Sequence, residues 1–359
     1  MKKNHNYIVI MAGGTGTRLW PLSRKNLPKQ MQKLINDRTL IDETIQRFEG
    51  VVPAENVFVS VTKEHADKIR ITLPDVKEDN IIIEPLSRGR MIAYTYVTKV
   101  IYDLDPEAII FSLPSDHAVD DVNAFKEAVT RTFTYIEDNS KEIVLIGTVP
   151  TRPDTGMGYI KVDKQISTDP VLYTIEKFVE KPVYQVANSY VNSGEYYWNA
   201  AYYGYKASTL LEAYKEADPM IIEALDTFME SQTEDDFMKI PQKEHEIETI
   251  NATKYPLILV PADFTWTDIG NWQTLHELLS STEGSDTGLH IQQANEYVDT
   301  GSSDCLVVST DHKLVATVGL KDVVIVSTSD VLLVMNRNKP QEIKQIIDTI
   351  EKKGLESYL

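Results

Sequence analysis

Short apolar runs alternate with amphipathic stretches through the first half of the chain. Residues 7–11 form a β-rich run that leads straight into glycines. Residues 40–48 have helical spacing, 57–61 read as a strand and 65–72 as a helix. The alternation continues with a strand at 81–83, a helix at 91–102, a strand at 108–113, a helix at 125–139 and a strand at 143–147. This rhythm predicts an α/β fold with a mostly parallel sheet and helices on both faces. Ligands of such sheets sit at the carboxyl ends of the strands. The middle of the chain is more mixed. Strands are predicted at 158–162 and 174–179, helices at 208–216 and 219–231, a strand at 257–260 and a helix at 271–279. Beyond a polar, turn-rich stretch at 280–286, short β segments follow at 305–310, 313–318, 323–327 and 331–335 with no helix between them. A closing helix spans 341–353, with Pro340 at its start and Gly354 past its end, as helix termini prefer. The expected domains are therefore 1–282 and a β-rich cap with a terminal helix, 283–359.

Composition narrows the partners. The 359 residues, 42% hydrophobic, are enough for a large core, and the net charge of -18 argues against nucleic acid. The charge is uneven: no Asp or Glu occurs before Asp37, whereas Lys2, Lys3, Arg18, Arg24, Lys25, Lys29 and Lys33 all do. A local basic segment on an acidic protein suits a small anionic ligand, although Lys2 and Lys3 read as solvated surface. The one cysteine, Cys305, excludes an intramolecular disulfide framework and a Cys-rich zinc site and fits a reducing compartment. No apolar run is long enough to span a bilayer, and the run at 7–11 is too short for a signal peptide, so a cytoplasmic protein is expected, with no membrane partner.

The strand at 7–11 runs into Ala12-Gly13-Gly14-Thr15-Gly16-Thr17-Arg18. Glycines after a strand let the backbone turn tightly and aim N–H groups at an anion. A dinucleotide fingerprint needs a small residue where Leu19 stands, and a P-loop needs Gly-Lys-Ser/Thr where Thr17-Arg18-Leu19 stands, so both fail. On its own the loop is equally consistent with a plain tight turn. Arg18 and Lys29 flank the Pro-bounded stretch that follows, and both can hold phosphate oxygens.

Gly-Gly-x-Gly-x-Arg-Leu-x-Pro followed by Pro28-Lys29 resembles the sugar-1-phosphate nucleotidylyltransferases, and Arg18-Leu19-Trp20-Pro21-Leu22-Ser23-Arg24 with Pro28-Lys29-Gln30 resembles their mannose-1-phosphate guanylyltransferase branch. The resemblance implies a Rossmann-like nucleotidyltransferase fold with a short β-helical cap, and the further C-terminal isomerase domain of bifunctional members is not expected. It places the nucleotide on residues 12–18, Lys29, Glu84, Pro85, Arg88, Pro114 and Asp116. Asp116, in Leu113-Pro114-Ser115-Asp116-His117, and Asp268, in Trp266-Thr267-Asp268-Ile269-Gly270, would hold Mg²⁺, whose preference for oxygen ligands suits carboxylates. Alone, Asp268 reads more readily as a helix N-cap than as a ligand. His117 has no partner at metal spacing and is expected to be a loop residue. The sugar would lie against Gly158, Glu180, Lys181 and Asn199, although Glu180-Lys181 by itself is an ordinary exposed pair. Trp20, Trp198 and Trp266 fall inside these blocks and are expected to be supporting core aromatics. Two blocks depart from the family pattern. Ser87-Arg88-Gly89-Arg90-Met91 replaces the usual Gly-Arg-Asn-Thr-Ala on the base side, and Ala200-Ala201 replaces a small residue and Gly on the sugar side.

The resemblance implies that a sugar 1-phosphate oxygen attacks the α-phosphorus of a nucleoside triphosphate, GTP in this branch, and pyrophosphate leaves. Arg18, Lys29, Asp116 and Lys181 would be the catalytic set. A homodimer is compatible with the cap. Thymidylyl or uridylyl transfer on the same fold, and a non-catalytic nucleotide-sugar sensor, are the alternatives. An NAD-linked oxidoreductase is disfavoured by Leu19.

Overall fold

Strand β1 (Asn6–Met11) is buried along its interior and lies between β2 (Val57–Thr62) and β4 (Ile109–Pro114), parallel to both; β2 in turn carries β3 (Ile81–Glu84), again parallel. Near-continuous Val/Ile/Leu runs such as Ile8–Ile10 are what a strand covered on both faces requires. The computed structural model describes residues 4–14, 16–244, 254–283, 287–292, 296–311 and 313–359. Strands β6 (Ile143–Thr148), β7 (Gly158–Thr168), β8 (Val171–Glu180), β9 (Tyr196–Lys206) and β10 (Leu257–Pro261) complete, among the described residues, a nine-stranded sheet in the order β3-β2-β1-β4-β9-β6-β10-β8-β7. The parallel expectation holds from β3 to β4 and between β6 and β10; β9 enters antiparallel between β4 and β6. Two short strands, β5 (His117–Val119) and β11 (Trp266–Asp268), pair with each other.

The chain divides into two compact units. The first comprises Met1–Gly13, Ile45–Pro114 and Val119–Trp266; the second comprises Gly14–Thr44, Ser115–Ala118 and Thr267–Leu359. The expected boundary between residues 282 and 283 is therefore not where the compact units divide. The second unit keeps the cap but also takes in the loop after the glycines, because the apolar residues of that loop are buried with the cap. Leu19, Trp20, Leu22 and Leu34 share one core with Trp272, Leu275, Val308 and Val326. Trp272, fully buried, donates its Nε1 to the Trp20 carbonyl at 3.1 Å, and Trp20 donates its own to the Tyr358 carbonyl at 2.7 Å. Arg24 forks onto Asp330 at 2.6 and 2.8 Å.

The cap consists of β12 (His290–Gln292), β14 (Leu306–Ser309), β16 (Val323–Ser327) and β17 (Leu332–Asn336) in one sheet, and β13 (Glu296–Thr300) with β15 (Leu314–Val318) in another. Parallel pairing β12–β14–β16 and β13–β15, without intervening helices, is the pattern of a chain coiling through successive turns of β structure. Among the described residues no helix is long and apolar enough to cross a membrane.

Candidate active site

Within the second unit, three groups named by the sequence meet. Asp116 follows β4, Asp268 ends β11, and Lys29 opens a short 3-10 turn (Lys29–Met31) behind Pro28. The Lys29 Nζ lies 2.8 Å from Asp116 Oδ2 and donates to Asp268 Oδ1 at 2.7 Å. Its side chain is 5% exposed, against 27% for Asp116 and 35% for Asp268. Burial alone would push the Lys29 ammonium down, but the carboxylates of Asp116 and Asp268 outweigh it and hold the group above its ordinary value. Burial likewise raises Asp268, and the charge of Lys29, then of His117 and Arg18, brings it below the usual carboxylate range.

The glycine loop is built around Lys29. Gly16 has φ +60°, and a Cβ on it would stand 2.5 Å from the Lys29 Cβ, so only glycine lets this backbone turn pass so close. Gln30 braces the loop from the other side, its Nε2 donating to the Gly14 carbonyl at 3.0 Å. Gly14 and Thr17 lie exposed beside the exposed Arg18, while Thr15 falls outside the described residues. In the first unit, Ala12 is buried with its N–H committed to the Ser60 carbonyl, and Gly13 is exposed.

His117 corrects the sequence reading. It stands in strand β5 rather than in a loop, and it is buried. Ligand atoms of Asp116, His117 and Asp268 lie within 4.8 Å of one another, close enough for one metal ion. Spacing along the chain could not show this, since the third member comes from β11. The N-cap alternative for Asp268 also falls: Asn271 does the capping, its Oδ1 accepting from the Thr274 N–H at 3.0 Å. A donor set of two carboxylates, with one imidazole beside them, fits a hard divalent ion, and an ammonium already standing between the carboxylates shows that the gap accepts a cation.

In the first unit, Glu84 ends β3, 5% exposed, and Pro85 and Arg88 follow in the connection to the helix Arg90–Leu104. Burial pushes the Glu84 carboxyl up to about 7, the Arg88 N–H offsetting this in part and Glu244 adding to it. The Arg88 guanidinium donates from both Nε and Nη2 to the Ile240 carbonyl. Main-chain bonds extend this stitch: Lys243 N–H to Arg88 O at 3.0 Å and Met91 N–H to Lys243 O at 3.2 Å. The off-pattern block is thus a seat for residues 240–244. Pro114 closes β4 in the same unit, half-buried.

The sugar-side residues also belong to the first unit. Gly158 and Glu180 are register partners of β7 and β8, and a Cβ on Gly158 would stand 2.8 Å from the Phe178 ring and 3.0 Å from Glu180 Oε2. Only glycine leaves that carboxylate room. Lys181 sits at φ +43°, strained for a side-chain-bearing residue, with its N–H bonded to Met157 O and its Nζ 2.6 Å from Glu180 Oε1. Asn199 lies at a bulge where the β6–β9 register shifts; it accepts from Ala201 N–H at 3.0 Å and donates to the Tyr203 hydroxyl at 3.1 Å. Ala201, at φ +55°, occupies a left-handed position where the family pattern has glycine. Ala201→Gly should therefore raise stability by roughly 0.5–1 kcal/mol, read by denaturant unfolding; a loss of stability would contradict it. Trp20 and Trp198 are buried as core aromatics, and Trp266 is half-buried with its Nε1 on Thr148.

Comparison with known proteins gives the family. Residues 7–285 match the family model described as nucleotidyl transferase, and residues 295–350 match the mannose-phosphate isomerase/GMP-like β-helix domain. The chain is 32% identical over 369 residues to mannose-1-phosphate guanylyltransferase of Escherichia coli (strain K12), covering 99% of this chain and 75% of that protein. It is 33% identical over 372 residues to mannose-1-phosphate guanylyltransferase ManC of Salmonella typhimurium (strain LT2), with the same coverage. A crystal structure described as mannose-1-phosphate geranyltransferase from Thermus thermophilus superposes with a TM-score of 0.84 at 28% identity, over 97% of this chain and 100% of that one. The glycine loop, the lysine and aspartate cluster and the β cap therefore belong to a nucleotidyltransferase, and the chain is a member of the mannose-1-phosphate guanylyltransferase family.

Proposed function

We propose that the enzyme transfers a guanylyl group from GTP to mannose 1-phosphate, giving a nucleotide sugar and pyrophosphate. The observation that carries this reading is the Lys29 ammonium held between Asp116 and Asp268, with Arg18 near enough for its charge to act on Asp268. Such a cluster supplies what nucleotidyl transfer needs. A phosphate oxygen of the sugar 1-phosphate attacks the α-phosphorus, the bond to the pyrophosphate bridging oxygen breaks, and that oxygen keeps the electron pair. The nucleophile is already an anion, so no general base is required, and catalysis is positioning plus charge neutralisation.

Arg18 and Lys29 are assigned to the triphosphate, and the glycine loop lets its backbone come close to it. Asp116 and Asp268 would hold Mg²⁺, which supplies charge neutralisation on phosphate oxygens when bound. Lys181 and Glu180, already paired, would part to take the sugar phosphate and a sugar hydroxyl respectively, and Asn199 would add a second hydroxyl contact. Glu84 is assigned to the base: guanine offers two adjacent donors, N1–H and the 2-amino group, that match one carboxylate.

A coupled pyrophosphate-release assay across four NTPs and several sugar 1-phosphates tests this. Release with GTP and mannose 1-phosphate well above all other pairs is expected. Release only with dTTP or UTP would overturn the guanylyl reading, and none with any pair would favour a sensor.

A further inference from the structure

The lysine assigned to the triphosphate does not wait for it in solvent. Its Nζ, on a 5%-exposed side chain, lies 2.8 Å from Asp116 and 2.7 Å from Asp268. Each of those oxygens is one a divalent ion would need, and an ammonium at hydrogen-bond distance excludes a metal at the same place.

We infer that Lys29 is a resident counter-cation that keeps Asp116 and Asp268 closed to a bare divalent ion, so that the metal enters together with the triphosphate. The inference rests on the assignment of these two aspartates as the metal pair in the proposed function. Its physical basis is the cost of an abandoned buried charge. A metal arriving alone must push the ammonium off both carboxylates, and Lys29, packed under the glycine loop against Gly16, forms its ion pairs among the described residues with these two carboxylates. A metal arriving with a triphosphate brings that anion with it. The ammonium passes from carboxylate to phosphate, and the carboxylates pass from ammonium to metal, so every charge keeps a partner. Metal and nucleotide binding are then positively coupled, and by linkage each tightens the other by the same factor. Lys29 thereby acts twice, first as a guard on the acidic pair and then as a phosphate ligand.

The sign of one substitution separates this from a merely structural lysine. Mn²⁺ is titrated into the full-length, nucleotide-free enzyme, with the free ion followed by electron paramagnetic resonance. Lys29→Met should bind Mn²⁺ at least tenfold more tightly than the unsubstituted protein, and Lys29→Arg, which keeps the charge, should not. Adding Asp268→Asn to Lys29→Met should remove the gain and so place it at this pair. If Lys29→Met fails to fold, Lys29→Gln, neutral but able to hydrogen-bond a carboxylate, carries the same comparison. Unchanged or weaker Mn²⁺ binding in the folded neutral variant overturns the inference. No nucleotide is present, so a failed guanylyl reading, visible in the pyrophosphate assay, leaves this outcome separately readable.

Discussion

Asp116→Ala is expected to lower turnover by a hundredfold or more while leaving a folded protein. The carboxylate does two things that alanine cannot: it pairs with the Lys29 ammonium at 2.8 Å, and in the proposed mechanism it supplies one of two oxygen ligands to the metal. Charge contacts aimed at the transition state of a phosphoryl-type transfer are each worth several kcal/mol of barrier, on the order of 10²–10³ in rate. The fold has less at stake. Asp116 is partly exposed, and Lys29 keeps its bond to Asp268 at 2.7 Å, so the buried ammonium is not orphaned. A stability loss of roughly 1–3 kcal/mol is the ceiling that one remaining partner allows. Asp116→Asn keeps the shape and removes the charge, and it should lose nearly as much activity with less effect on stability. Steady-state kinetics beside a thermal melt check both halves. A folded Asp116→Ala protein with wild-type-like kcat would remove Asp116 from the catalytic set.

The sheet was legible in the sequence wherever strands are buried on both faces. Runs such as Val57–Thr62 and Ile143–Thr148 have no polar face to confuse with a helix, and their boundaries fall within a residue or two of expectation. Strand β9 was not legible. Its Tyr and Trp residues favour a strand, but Asn199, two alanines and Gly204 interrupt the run, and its antiparallel place between β4 and β6 is decided by distant partners. The helix Tyr184–Ser193 was missed because it is polar and buries only Ala187; Gly194, at φ +70°, was the one local signal of its end. The two-unit division was hidden for a similar reason. Nothing local in Leu19–Leu34 says that these side chains are buried with Trp272 and the cap.

Around Lys29 the motifs named residues that the fold brings together, but not their arrangement. The glycine loop, Lys29, Asp116 and Asp268 could be named from their motifs, but not that the lysine stands between the aspartates. His117 was set aside because Asp268, which completes the group with its chain neighbour Asp116, comes from another strand. The donation from the Arg88 guanidinium to the Ile240 carbonyl was not legible either, since it joins residues 152 positions apart.

Glu84→Gln is expected to make the protein more stable and a poorer user of GTP, both with a pH signature. The Glu84 carboxyl is raised from 4.5 to about 7 chiefly by burial. A raised folded-state value means that the neutral form suits the fold. Stability from this group is therefore fully present below about pH 4.5 and is lost as pH rises through 7. Glutamine mimics the neutral form, so its advantage should be small at pH 5 and reach at most roughly 3 kcal/mol at pH 8, seen as a melting temperature higher by a few degrees. Function runs the other way. In the proposed role the ionised carboxylate would accept from both guanine donors, whereas glutamine would offer one acceptor and turn an NH₂ donor toward the other, leaving a desolvated mismatch. A hundredfold or larger fall in kcat/KM for GTP should follow, with a smaller effect on other NTPs. In the unsubstituted enzyme kcat/KM for GTP should climb through about pH 7 as Glu84 ionises, and this inflection should vanish in the variant while any inflection from the substrates stays. A variant that keeps GTP efficiency would take Glu84 out of base recognition. Raised stability without that loss would leave the carboxylate a burial cost with no role in the reaction.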